Sequence, residues 1–340
     1  MRTLNDLPLR YRAYRHCRGK VEVFTVETVE FRRAEREWPS VFLRPRYVGI
    51  CSADVREIRG ERPGRKDFGH EVVGTVIEST HPGFISGDSV ILNPFEKVER
   101  ETAYAEMMYL AGPEHVLGDA LIKVPSTDLH YAITEPLACI IHAARQSGAN
   151  GAESALVVGA GFFGFLLYCY LEHLDVPVTL TNRSPDRLRH LVSCVPGLRA
   201  ALDLWDYDGR FGTAFLMQSH IESEHIEATA RVIRENGEVV LFGAIDREKH
   251  PELQALRNGQ RRAPHQSSGK NVYLQGTLDA TPADLEEAIR LLGQPEFVRR
   301  LLPIFAPPLS FEQGVDHLND RARTPRNNRK YMVDMGEGCA

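Results

Sequence analysis

Residues 155–174 read ALVVGAGFFGFLLYCYLEHL. The apolar residues ahead of Gly159 suit a short buried strand, and from Phe162 to Leu171 the chain carries no charge, the pattern of an apolar helix. Gly159, Gly161 and Gly164 stand at G-x-G-x-x-G spacing, which is weak alone but specific between a strand and a helix, with a second strand pattern, VPVTLTN, behind. Gly159 allows the tight turn, Gly161 lets the backbone approach a pyrophosphate, and Gly164 lets helix pack closely on strand. Phosphates would sit at the helix N-terminus, where amides are unpaired and where Phe162 and Phe163 open the first turn. The bland alternative is that the glycines only tighten a junction. Because they cut the uncharged run at 155–171 in two, it is not read as a membrane span.

The second strand ends in TNRSPDRLRHL, with Asn182, Arg183 and Ser184 where an NAD enzyme would place an acidic residue on the ribose hydroxyls. A guanidinium and a hydroxyl suit a 2′-phosphate instead, so the reading is NADP, with NAD second. Ser184-Pro185 also reads as an ordinary helix start, a compatible role. Further on, FGTAFLMQS, a helix through IEATARVIRENG, EVVLFGAI and NVYLQGTL keep strand and helix alternating, as in a doubly wound parallel sheet. The polar stretch EKHPELQALRNGQRRAPHQSSGK reads as a surface loop with a short helix, and PADLEEAIRLLG as a helix opening the tail.

Upstream the character changes. VEVFTVETV, SVFLRPRYV, residues 72–78 and residues 88–92 read as short strands broken by the charged FRRAEREWP and by HPGFISGD, giving a mostly β first domain. Within it, GICSADVREIRGERPGRKDFGHEVVG offers the Cys51 thiol, the His70 imidazole and the Glu71 carboxylate at two strand ends, with Glu135 further on in ITEPLACIIHA. Sulfur, nitrogen and oxygen donors together fit zinc better than magnesium or calcium. Singly, each is as readily a core cysteine or a surface His-Glu pair.

A chain of 340 residues exceeds what one core usually fills, so two domains are expected. Hydrophobic content of 43% and charged content of 26% are ordinary for a soluble enzyme, and a net charge of −5 argues against nucleic acid or an anionic membrane as partner. Cys17, Cys51, Cys139, Cys169, Cys194 and Cys339 show no paired spacing and read as reduced thiols of a cytoplasmic protein, and residues 1–20 show no secretory signal.

GICSAD, GHEVVGTV, GDSVIL, EPLACIIHA and GAGFFG follow one another as in the zinc-containing medium-chain dehydrogenase/reductases, and the EPL element resembles their polyol, sorbitol-type branch. The resemblance implies a GroES-like catalytic domain over residues 1–136 and 284–340, a Rossmann domain over 137–283, and a homodimer or homotetramer. It also implies one catalytic zinc on Cys51, His70 and a carboxylate, Glu71 being the direct third ligand and Glu135 the exchangeable one, an order the residues themselves leave open. Asp54 would orient the Cys51 loop or His70. Asn93–Gly112 contains none of the cysteines that hold a second, structural zinc in many relatives, so only one is expected. Where relatives carry a proton-relaying Ser two places after the Cys, this chain has Ala53. The resemblance implies NADP-linked oxidation or reduction of a polyol, ketose, sugar or cyclitol, phosphorylated or not, in a biosynthetic setting. A zinc-free quinone or enone reductase and a non-catalytic binding protein are the alternatives. Arg56, with RPGRK at 62–66 and RNNRK at 326–330, is a candidate clamp for an anionic substrate.

Overall fold

The computed structural model describes residues 10–17, 19–27, 38–62, 68–149, 154–202, 209–267, 269–323 and 329–336. The chain divides into two units, Met1–Glu135 with Ala306–Ala340, and Pro136–Phe305.

In the first unit β1 (Arg10–Cys17) and β2 (Lys20–Glu27) form an antiparallel hairpin. There follow β3 (Ser40–Gly49), α1 (Ser52–Ile58), β4 (Glu71–Ser79), β5 (Ser89–Leu92), β6 (Glu99–Arg100), β7 (Met108–Ala111), α2 (Glu114–Ala120) and β8 (Leu121–Lys123). The strands run β6-β7-β3-β4-β5-β8, all neighbours antiparallel, so the strands expected at 72–78 and 88–92 are β4 and β5. Of the expected turn FRRAEREWP, residues 31–37 lie outside the described residues. Val41, Leu43 and Val48 of β3 are fully buried with Val72 and Val76 of β4, which pins the pairing, because a slip of one residue would turn these side chains to the opposite face. Pro45 cannot donate to the ladder, and the register shifts between Pro45 and Tyr47. Past that bulge Gly49 lies opposite Glu71. Cys51, just beyond one strand, and His70, just before the other, are thereby brought to one end of the sheet.

The second unit takes in most of α3 (Thr134–Gln146), then β9 (Ala155–Val158), α4 (Phe162–His173), β10 (Val178–Thr181), α5 (Pro185–Cys194), β11 (Ala200–Ala201) and β12 (Phe211–Leu216). It continues through α6 (Ser223–Val232), β13 (Ile233–Leu241), α7 (Pro251–Asn258), β14 (Arg262–Ser267), β15 (Lys270–Gly276), α8 (Pro282–Leu292) and α9 (Pro295–Leu301). The sheet order is β11-β10-β9-β12-β13-β15-β14, parallel except for β14, which pairs antiparallel with β15. This is the expected doubly wound sheet. One expectation is corrected: the polar stretch ahead of β15 holds, besides the short helix α7, an edge strand. RAPHQS hides there because an edge strand buries little and tolerates Pro264.

After α9 the chain returns to the first unit through α10 (Phe311–Arg323) and β16 (Met332–Asp334), the latter antiparallel to β3 with Met332 opposite Gly49. The return begins at Ala306, not at residue 284 as expected. The reason is local: Asp284 of α8 binds His142 Nδ1 at 2.9 Å and Arg145 Nη1 at 2.7 Å, both on α3, and Phe297 of α9 packs edge-on against His173 of α4.

Candidate metal centre and dinucleotide site

Cys51 caps α1 from an extended backbone at φ −98° and ψ 155°. Its Sγ accepts from Ala53 N at 3.4 Å while its own N–H donates to Asp54 Oδ2 at 2.9 Å, a capping box made from a thiol and a carboxylate. His70 follows Gly69, whose φ of 73° is the left-handed turn that brings the chain into β4. Ligand atoms of Cys51, His70 and Glu71 all lie within 4.8 Å of one another.

Asp54 ties this end together. Besides Cys51 N it accepts from Gly69 N at 2.9 Å, stands 3.6 Å from His70 Nδ1, and lies 3.0 Å from the Tyr104 hydroxyl, itself 3.0 Å from the Gly49 carbonyl. One buried carboxylate therefore fixes both ligand-bearing loops, as a partner behind a metal ligand does. Burial alone would raise the Asp54 pKa, but His70 and the two backbone donors hold it below the usual range. Burial works against a charged His70, yet Asp54 and Cys51 raise its pKa well above the ordinary value, and burial followed by the Glu71 charge raises the Cys51 thiol. Tyr104 was not singled out in the sequence, where it is one aromatic of ETAYAEMM; its pKa is pushed up by burial and by the charges of Asp54 and Glu71.

Glu71 is 1% exposed. Its Oε1 has no hydrogen-bond partner among the described residues, and Oε2 rests against the ammonium of Lys330, which also donates to the Ile50 carbonyl at 3.2 Å. An orphaned, buried carboxylate oxygen beside a thiol and an imidazole is costly unless a cation takes it up, so the donor set fits a divalent ion of zinc's preferences. Gly49 is required here: a Cβ on it would land on the Glu71 carboxylate. Glu135 stands in the first turn of α3 and is not one of the three clustered donors. Arg56 is exposed and pairs with Glu61 at 3.6 Å, an ordinary surface ion pair. Residues 63–66 and 326–328 of the expected basic clusters lie outside the described residues.

In the second unit Gly159 has φ 117° and sits on the backbone of Met217 and Gln218, a turn only glycine enters freely. A Cβ on Gly164 would fall inside the Gly159 carbonyl. Gly161 caps α4 without a side-chain bond, ahead of Phe162 and Phe163, and Phe163 packs on Phe242 at 5.2 Å. Asn182 binds back to the turn: its Oδ1 accepts from Ala160 N at 3.0 Å and its Nδ2 donates to Ser184 O at 3.0 Å. Arg183 and Ser184 are exposed, and Ser184 holds the N-cap position of α5 ahead of Pro185 without a side-chain bond to the helix. A further cation was overlooked: Nη1 of Arg187 lies 3.8 Å from where a Gly161 Cβ would stand, and burial lowers its pKa. The available signal was its place in the first turns of the helix that Ser184-Pro185 opens.

Residues 39–125, the strands carrying Cys51, His70 and Glu71, match the alcohol dehydrogenase GroES-like domain family. The match lies within the first unit, and the likeness to the solved structures below extends the same fold over the rest of the chain. The chain is similar to the sorbitol dehydrogenase of Halalkalibacterium halodurans, 23% identical over 286 residues, 75% of this chain and 80% of that one. Among solved structures it resembles galactitol-1-phosphate dehydrogenase from Escherichia coli, TM-score 0.71 at 16% identity, covering 95% of this chain and 99% of that one. A Sinorhizobium meliloti 1021 protein solved bound to NADP gives TM-score 0.70 at 17% identity, over 96% of this chain and 100% of that one. Among the described residues no helix is long and apolar enough to cross a membrane.

Proposed function

We propose that the chain is a zinc-dependent oxidoreductase that moves a hydride between NADP(H) and a secondary alcohol or ketone of a polyol, sugar or cyclitol. The observation that carries this reading is the thiol, imidazole and carboxylate gathered within 4.8 Å, with a buried Glu71 oxygen left without a partner. Cys51, His70 and Glu71 would hold the ion, with Glu135 the candidate fourth, exchangeable donor. When bound, zinc would supply Lewis acidity toward a substrate oxygen and the nicotinamide its hydride chemistry. Asp54 faces His70 Nδ1 and so leaves Nε2 as the ring nitrogen for a ligand bond. Lys330 lies against Glu71 in the buried pocket and would hold its orientation. With alanine at position 53, no hydroxyl stands there to pass a proton on.

The glycine turn would take the dinucleotide, with Asn182 bracing it. Arg183, Ser184 and Arg187 are the candidates for a 2′-phosphate, since guanidinium forks suit phosphate and none of the three offers an acceptor pair to a ribose diol. Metal analysis and a panel of sugar alcohols, cyclitols and their phosphates, followed at the NADPH absorbance, test the proposal together. We expect close to one zinc per chain, lost in Cys51→Ser and His70→Ala with the fold retained, because a catalytic site contributes less to folding than a structural one. Full turnover by metal-free protein would sink it.

A further inference from the structure

The last turns of α10 carry a second arrangement that the metal donors do not explain. Arg321 is 6% exposed, and its Nε and Nη1 have no hydrogen-bond partner among the described residues. One helical turn earlier, and so on the same face, His317 packs on Tyr331 with ring centroids 4.1 Å apart and the planes tilted by 35°, and its Nε2 is also buried without a partner among the described residues. No carboxylate of the described residues stands within ion-pair distance of Arg321. Arg59 does not neutralise it; it donates to the Ala322 carbonyl at 2.8 Å and the Arg321 carbonyl at 3.1 Å, anchoring the end of the helix.

A guanidinium does not lose its proton in a protein, so a buried one with most of its donors idle calls for an anion. The planar fork of arginine, with an imidazole N–H beside it, is the donor pattern that suits a carboxylate or a phosphate monoester. Arg59 closes α1, the helix that Cys51 opens, so its two bonds set the end of α10 against the helix that starts at the metal donors, within the first unit.

We propose that Arg321 and His317 form an oxyanion pocket beside the metal centre, which takes a carboxylate or phosphate group of the substrate. The assignment to substrate rests on the oxidoreductase reading above, whereas the pocket itself rests on these two side chains. Isothermal titration of the full chain with inorganic phosphate tests the pocket. Arg321→Met should weaken binding about ten- to a hundredfold, the range for losing a hydrogen bond to a charged group. Arg321→Lys keeps the charge but loses the fork and should fall between, and it carries the comparison if Arg321→Met does not fold. His317→Phe, which keeps an aromatic ring against Tyr331, should weaken binding by less. Phosphate affinity equal in wild type and both Arg321 variants overturns the pocket.

Turnover of a neutral polyol, its phosphate and the corresponding aldonic acid tests the assignment to substrate and separates the two anion sources. The kcat/KM ratio of the preferred acid-bearing substrate over its neutral parent should drop about tenfold or more in Arg321→Lys. A ratio near one in the wild type overturns the assignment. Phosphate binding intact with no turnover of any substrate would sink the oxidoreductase reading and leave the pocket, while polyol turnover with no Arg321-dependent phosphate binding would do the reverse.

Discussion

Lys330 is 2% exposed and lies against Glu71, the carboxylate proposed above as a metal ligand. On that proposal the ammonium and the metal would compete for one side chain, which predicts different behaviour with and without metal. Removing one partner of a buried pair typically costs about 3 to 5 kcal/mol because the other charge is stranded. Lys330→Met should show a loss of that order in urea denaturation with chelator present, and a clearly smaller one with zinc, which would take up the stranded carboxylate. Equal losses in both conditions would mean that Glu71 does not meet a metal. Arg187 offers a separate test at the other site. Arg187→Ala should lower NADP affinity about ten- to a hundredfold and leave NAD binding nearly unchanged, as fluorescence titration with both dinucleotides would show. A wild type that prefers NAD would refute the reading of Asn182-Arg183-Ser184.

Among the elements, α4 is set by a glycine that its strand cannot spare. A methyl group at Gly164 collides with the Gly159 carbonyl, so Gly164→Ala must push helix from sheet; overpacking of this kind costs about 1 to 3 kcal/mol or more, and should lower the denaturation midpoint and dinucleotide affinity together. Helix α8 is held by charge. Its Asp284 joins a capping box with Thr281 and binds His142 and Arg145; despite burial, His142 and Thr281 keep the Asp284 pKa well below the carboxylate range, while Asp284 raises that of His142. The signs differ. A raised histidine pKa gives stability that is present below the unfolded value, roughly 6.5, and is lost as pH climbs through the folded one; a lowered Asp pKa gives stability present above roughly 3.9 and lost as pH falls. The pair therefore contributes most between about pH 4 and 6.5. His142→Asn should flatten the decline in melting temperature from pH 6 to 8, and an unchanged slope would show that the imidazole charge does not matter there.

At the scale of the molecule, Cys51, His70 and Glu71, the proposed metal donors, all belong to the first unit, while the second has its own apolar cluster around Leu156, Ala214 and Val239. A ligand stabilises the state that binds it, by about 4 kcal/mol at a thousandfold excess over Kd. Chelation should therefore shift a calorimetric transition of the first unit downward and leave that of the second unit nearly in place, with NADP doing the converse. A single transition moved equally by both ligands would show the units melt as one.

The second unit was legible along the chain because its signals are local: a strand, a glycine turn and a helix fit in one short window, and the parallel order follows from alternating apolar runs. Cys51, His70 and Glu71 were legible for the same reason, as donors at two strand ends. What the tertiary structure alone decided involves partners far apart in sequence. Lys330 meets Glu71 only because β16 pairs with β3 opposite β4, and Tyr104 meets Asp54 only because a distant loop folds over α1. Helices α8 and α9 join the second unit through contacts with α3 and α4, which no periodicity encodes. Arg321, in a polar helix stretch, reads as one more surface cation. Its burial is a property of the packing around α10, and residue type at one position carries no record of what packs against it.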